Sequence, residues 1–277
     1  MSSRIWTASR DVLIGLIVMA GITVPWSVVV VANLRLSPQV PWAIPAALIY
    51  VSLVIAYLNG RSWPVSTREF RRSRFRARLL SPALSVWSLL AGGLAVTCLW
   101  LLVAAAGHLG PSVPGAEAGL APPVLFAFVT VSAAITALGE EAGLRGFMQA
   151  PLESRFGPSV AITITTSVFV LIHASHGFTT LLHNGPLYIA TGVVYGLLTY
   201  LTQSILPALM LHFLGDVVVF ALRSSLIHGL APRTQPEIAL CLFAALMAAT
   251  LSLLAFRQLA SVSASTRQGR MLDWPAG

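Results

Sequence analysis

The chain has 277 residues, 56% of them hydrophobic and only 9% charged, with a mean hydropathy of +0.82. A soluble domain carries roughly 25% charged residues, so this composition excludes an ordinary water-soluble enzyme and makes the bilayer the main solvent of the fold. The net charge of +8 rests on arginine alone, and its placement between apolar runs selects anionic headgroups, not nucleic acid, as the acidic partner.

The first apolar run, "DVLIGLIVMAGITVPWSVVVVANL", is longer than a signal-peptide core and lacks a small-residue cleavage site, so residues 11–33 are predicted to be the first span. A second span is predicted over 42–59. Between it and a third at 83–107 lies "RSWPVSTREFRRSRFRAR", with seven of the seventeen arginines, which reads as a cytoplasmic loop held against anionic headgroups. The Gly- and Pro-rich stretch 108–121 has no arginine and fits an outside turn.

A fourth span is predicted over 122–139, a fifth over 158–175, a sixth over 186–202, a seventh over 204–222 and an eighth over 237–256. Pro207 either starts the seventh helix or kinks it. The expected fold is all-α, a multi-pass transmembrane bundle of about eight spans. One domain covers 1–260, and residues 261–277 form a polar C-terminal tail. An even count puts Arg4, Arg10, the arginine-rich loop, Arg257, Arg267 and Arg270 on one face, so both termini are expected in the cytoplasm and the protein in the cell membrane. Cys98 and Cys241 lie inside apolar runs without metal-ligand spacing and read as packing residues.

Carboxylates are scarce, and Glu140, Glu141 and Asp216 lie in or beside spans, where a charge at a helix centre costs ~2.5–3.5 kcal/mol on insertion scales. On an α-helix Glu141 and Arg145 share a face and can form an ion pair. Glu140 is rotated about 100° away, which leaves it as the better general base. A purely structural reading makes both glutamates markers of the membrane–water boundary, with Arg145 snorkelling to headgroups. Phe169 and His173 share a face in "FVLIH", where a packing histidine is the plainer interpretation. His176 is assigned to an interface, and His108, His183 and His228 receive no chemistry. His212 and Asp216, four apart in "HFLGD", can hold a common ion or water, or bond to each other. Together these groups suit the activation of water, while spacing alone also admits a proton relay or ion path.

"EEAGLR" fits EExxxR, "FVLIH" fits FxxxH and "HFLGD" fits HxxxN/D. In that order on hydrophobic helices, the motifs resemble the CPBP (ABI) family of intramembrane proteases, which includes CAAX prenyl endopeptidases and bacteriocin-processing or immunity proteins. The motif core runs from 140 to 216. The resemblance implies an intramembrane endopeptidase whose polar site opens toward the cytosol. It implies that Glu140 activates water, that Glu141 and Arg145 brace the site and that Phe169 packs beside it. His173, His212 and Asp216 would hold the water or stabilise the oxyanion. The substrate would be a peptide or lipidated peptide. Either a divalent metal such as zinc, with Glu140, His173, His212 and Asp216 as candidate ligands, or no metal at all is compatible with it. A noncatalytic scaffold or immunity protein and an ion-coupled transporter are the competing functions; the oligomeric state is left open.

The span limits carry an internal conflict. With the fourth span ending at 139 and the fifth starting at 158, His173 lies ~22 Å along its helix, and the two histidine- and glutamate-bearing motifs would not meet. The motif match makes those limits the weaker expectation.

Overall fold

The computed structural model describes residues 2–37, 40–107, 120–174, 177–223 and 234–272, and among these there are helices and no strands. The predicted outside turn at 108–121 therefore falls almost wholly outside the described residues, as do His108, His176 and His228 and the last residues of the tail. The chain divides into two compact units. The first comprises residues 1–77, 109–165 and 212–230, and the second 78–108, 166–211 and 231–277.

In the first unit, helix α1 runs over Ser2–Leu36 and α2 over Ala43–Leu58. Asn33 ties them together: its Oδ1 accepts from Ala43 N at 2.7 Å while its Nδ2 donates to Ser37 O and Val40 O. Burying this amide is tolerable because each of these bonds replaces one lost to water. Tyr50 on α2 donates to Ile22 O on α1 at 2.7 Å.

The arginine-rich stretch is more ordered than a loop. It holds a short helix, α3, over Arg68–Phe75, preceded by a 3-10 turn at Val65–Thr67. Arg71 explains why. Its buried guanidinium donates to Tyr57 O, Pro64 O and Ser62 O and to Thr67 Oγ1, and its Cζ lies 4.2 Å from the centre of the Tyr57 ring. One planar fork with five donors thereby satisfies carbonyls left over where α2 ends.

The predicted span limit at 139 is corrected by the structure. Helix α5, Pro122–Glu140, continues without a break into a π-helical segment, Glu141–Gln149, and then into α6, Ala150–Phe156. The whole run Pro122–Phe156 is 35 residues long and apolar enough to cross a membrane. The helix survives past the two glutamates because every residue of the π segment is buried and its polar side chains meet other side chains. Close packing against α1 relies on two glycines. A Cβ on Gly143 would lie 2.6 Å from Gly15 O, and one on Gly139 would lie 2.6 Å from Thr23 Cγ2. Small residues one turn apart allow two helix backbones to touch, as in membrane helix pairs.

In the second unit, α4 (Pro82–Ala105) starts where Ser81 Oγ accepts from Leu84 N, with Pro82 at the first helical position. It packs along α10 (Gln235–Leu272), where Ser252 Oγ donates to Ala91 O at 2.8 Å. Leu84, Tyr195, Leu198, Ala208, Leu211 and Leu259 form its core, and Gly92 lets Leu198 and Leu211 approach α4. Helix α8 spans Phe178–Thr202 with Pro186 inside it. Helix α10 extends to Leu272, into the segment expected to be a polar tail, and Ser263 in that extension donates to Leu201 O.

Helices α7 (Pro158–His173) and α9 (Leu206–Arg223) contribute residues to each unit. Pro207 starts α9 and does not kink it, with Ser204 Oγ accepting from Leu206 N. Among the described residues, four helical runs can cross a membrane by length and composition: Trp6–Leu36, Pro82–Ala105, Pro122–Phe156 and Gln235–Thr266. Three shorter apolar helices accompany them at Ala43–Leu58, Pro158–His173 and Leu206–Ala221. This is a helical membrane protein, with four helices of spanning length among the described residues where about eight spans were expected.

Candidate functional site

Glu140 is the nineteenth residue of the run Pro122–Phe156, well inside it and not at a helix end. A π-helix closes i→i+5 hydrogen bonds and is wider than an α-helix, and such segments occur often at functional sites. Here it begins at Glu141 and carries a polar residue at every fourth position: Glu141, Arg145 and Gln149, followed by Glu153 on α6.

The stripe is linked along its length. Arg145 Nε lies 3.7 Å from Glu141 Oε2, Gln149 Nε2 donates to Glu153 Oε1 at 2.8 Å, and Arg76 Nη1 pairs with Glu153 Oε2 at 3.0 Å. Glu141, Arg145 and Gln149 have no solvent exposure. A buried carboxylate and guanidinium are tolerable only when paired, and the i, i+4 register expected from the sequence is the one that pairs them. Gln149, Glu153 and Arg76 were missed in the sequence reading. Their signal was the four-residue repeat beyond Arg145, hidden by ending the span at 139.

His212 on α9 lies against the upper end of this stripe, within the first unit. Its Nδ1 is 2.9 Å from Glu141 Oε1. A carboxylate oxygen accepts, so the proton is assigned to Nδ1, and Nε2 faces the remaining acids. Nε2 is 3.8 Å from Glu140 Oε2 and 3.7 Å from Asp216 Oδ2. Those separations exceed a direct hydrogen bond and lie within ion-pairing range. Glu140 and His212 are buried, whereas the Asp216 side chain keeps 19% of its surface exposed.

Glu140, Glu141, Arg145, His212 and Asp216 are thus brought together, and the two adjacent glutamates are differently placed. Glu141 holds one imidazole nitrogen and lies beside the arginine, while Glu140 faces the other nitrogen. Among the described residues no group of three or more His, Cys, Asp or Glu side chains is disposed to hold a metal ion.

Phe169 and His173 belong to the second unit. His173 Nδ1 donates to Phe169 O at 2.8 Å, since a carbonyl can only accept. The two rings meet edge to face with centroids 4.5 Å apart, and Tyr188 of α8 lies over His173 at 4.2 Å and beside Phe169 at 6.1 Å. Aromatic packing on both sides restricts the imidazole's rotation. Tyr188 carried no motif and had no signal in the sequence beyond its place near the start of the sixth predicted span.

The motif resemblance is matched by a family comparison. The family model described as "Type II CAAX prenyl endopeptidase Rce1-like" matches residues 122–218, a segment that contains all seven candidate residues from Glu140 to Asp216. Comparison with curated proteins and with solved structures gives no match.

Proposed function

We propose that this chain is an intramembrane endopeptidase of the CAAX-protease-like type, a multi-pass protein of the cell membrane with both termini in the cytoplasm. It would hydrolyse a peptide bond near the cytoplasmic face, in a peptide or lipidated-peptide substrate. One observation carries the reading. Glu140 Oε2 and Asp216 Oδ2 lie 3.8 Å and 3.7 Å from His212 Nε2, while Glu141 holds Nδ1. The match of residues 122–218 to the Rce1-like family model supports the same reaction class.

The chemistry follows from that placement. A water held by Glu140, Asp216 and His212 gives a proton to the Glu140 carboxylate as its oxygen adds to the scissile carbonyl carbon. The carbonyl π electrons move to oxygen, which becomes the oxyanion. Collapse of the tetrahedral adduct re-forms the carbonyl and breaks the C–N bond. Glu140 then returns the proton to the departing nitrogen. Glu141 fixes the imidazole's tautomer and orientation, and Arg145 balances the charge of Glu141. The oxyanion role that the family resemblance gives to His173 falls on its Nε2, because Nδ1 is committed to Phe169 O. No step in this scheme needs a metal ligand.

The test is cleavage of a panel of hydrophobic and lipidated peptides by purified protein beside Glu140→Gln. The variant keeps the shape and loses the base, so turnover should fall at least about 100-fold. Equal cleavage by both proteins would remove Glu140 from its role. Cleavage of no peptide, with a phenotype that survives Glu140→Ala, would favour the noncatalytic scaffold.

A further inference from the structure

The arginines of the first unit are not equivalent. Arg71 is consumed by backbone carbonyls and Thr67, Arg76 by Glu153, Arg155 by Asp11, and Arg68 Nε donates to Gly60 O. Arg10 on α1 and Arg61 and Arg72 around α3 remain exposed. Arg74 is half-buried, its Cζ 5.4 Å from the centre of the Phe70 ring. Burial, together with the like charges of Arg10 and Arg76, presses the Arg74 guanidinium below the usual arginine range. Cations from α1 and from the end of α3 therefore crowd one another. The acid on α3 is Glu69, and it too is exposed. Such a cluster lowers its energy by taking up an anion.

The surroundings say which anion. Trp63 is 83% exposed, with Val65 and Phe70 also open. In water those side chains would be costly, and exposed apolar groups in a segment rich in charge mark an interaction surface. An indole in an arginine-rich segment suits the headgroup level of a bilayer, where the apolar part enters the acyl boundary and the cation meets phosphate. The segment is also tethered there. It connects α2 to α4, both apolar, so the leaflet surface is the one within its reach.

We infer that the surface formed by Arg10, Arg72 and Arg74, with Trp63 as its apolar anchor, binds the headgroups of anionic phospholipids in the membrane leaflet beside it. This goes beyond the proposed peptidase activity and does not depend on it. The surface adjoins the candidate site physically: a Cβ on Gly146 of the π segment would lie 2.8 Å from Arg74 O, and the Phe70 and Phe147 rings meet edge to face at 6.0 Å.

The experiment uses the full chain, purified in an uncharged detergent and stripped of lipid. Binding of dioctanoyl phosphatidylglycerol, dioctanoyl phosphatidylcholine and inorganic phosphate is then measured by native mass spectrometry and calorimetry. The glycerol lipid should bind at least about tenfold more tightly than the choline lipid, because each arginine near a headgroup surface contributes on the order of 1 kcal/mol. R10Q/R72Q should lose most of that preference and R10Q/R72Q/R74Q the rest. R35Q, which removes an exposed arginine at the other end of α1, should keep it. Because Arg74 is half-buried, a melting curve accompanies the triple variant, and the exposed double variant decides the matter alone if the triple does not fold. Equal binding of the two lipids, an unchanged preference in R10Q/R72Q, or inorganic phosphate competing as well as the lipid would each overturn the inference.

Discussion

Glu141 Oε1 takes a hydrogen bond from His212 Nδ1 at 2.9 Å across 71 positions of chain, while Arg145, four residues away, stands 3.7 Å from its other oxygen. The acid that the sequence pairs with its neighbour on the helix is held more closely by an imidazole on another helix. The two adjacent glutamates are therefore placed differently, one bonded to Nδ1 of the imidazole and the other facing its Nε2.

That relationship predicts the behaviour of Glu141→Gln. The amide keeps the shape and can still accept at its oxygen, but the bond is no longer charge-assisted, and a charge-assisted bond contributes about 1.5–3 kcal/mol. Peptide turnover should fall about tenfold to about 100-fold, with KM close to that of the parent. A change confined to KM would show that Glu141 touches the substrate and does not orient His212.

Asp216 is predicted to act as an acceptor. Its Oδ2 stands 3.7 Å from His212 Nε2, and an asparagine oxygen can accept from the attacking water of the proposed scheme as a carboxylate does. Asp216→Asn should therefore keep turnover within about tenfold of the parent, whereas Asp216→Leu should lose more than about 100-fold. Kinetics on one peptide substrate, with both variants at matched expression, decides this; equal losses would make the charge itself the requirement.

Metal removal should have little effect. Because the proposed scheme routes no step through a metal ion, dialysis against a chelator should leave peptide cleavage unchanged. Elemental analysis should find less than one metal ion per chain. Loss of activity on chelation, restored by zinc, would contradict the glutamate-and-water scheme.

The α1 crossing predicts a contrast between two glycines. A methyl group at Gly143 would lie 2.6 Å from Gly15 O and 2.7 Å from Met19 Cβ, whereas at Gly21 nothing lies within 4 Å. Gly143→Ala should therefore destabilise by about 1–3 kcal/mol, and Gly21→Ala should leave the melting temperature unchanged or raise it slightly. Thermal unfolding in detergent measures both.

Arg71 should not tolerate lysine. Its fork serves three carbonyls and a hydroxyl at once, a geometry that a single ammonium cannot reproduce. Arg71→Lys should lower the melting temperature clearly, while Arg72→Lys, on the exposed face, should not. Equal stability of the two variants would remove the structural role given to Arg71.

The sequence by itself determined that this is a helical membrane protein, because long runs without charge leave the backbone no way to satisfy its hydrogen bonds in lipid except helix. It also determined which residue types could carry chemistry, since Glu140, Glu141, His212 and Asp216 are polar where polarity is costly. The second apolar segment was legible almost to the residue, at 42–59 against Ala43–Leu58. The end of the fourth was not. Two adjacent glutamates read as an exit from the bilayer, and only the tertiary structure decided that the helix runs on to Phe156, because partners on other elements bury its charges. Among the seven arginines of residues 61–78, composition treats all alike, yet Arg71 turns inward to carbonyls and Arg72 stays exposed. A buried charge takes its partner from whatever folding brings within a few ångströms, and for Glu141 that partner lies 71 residues away.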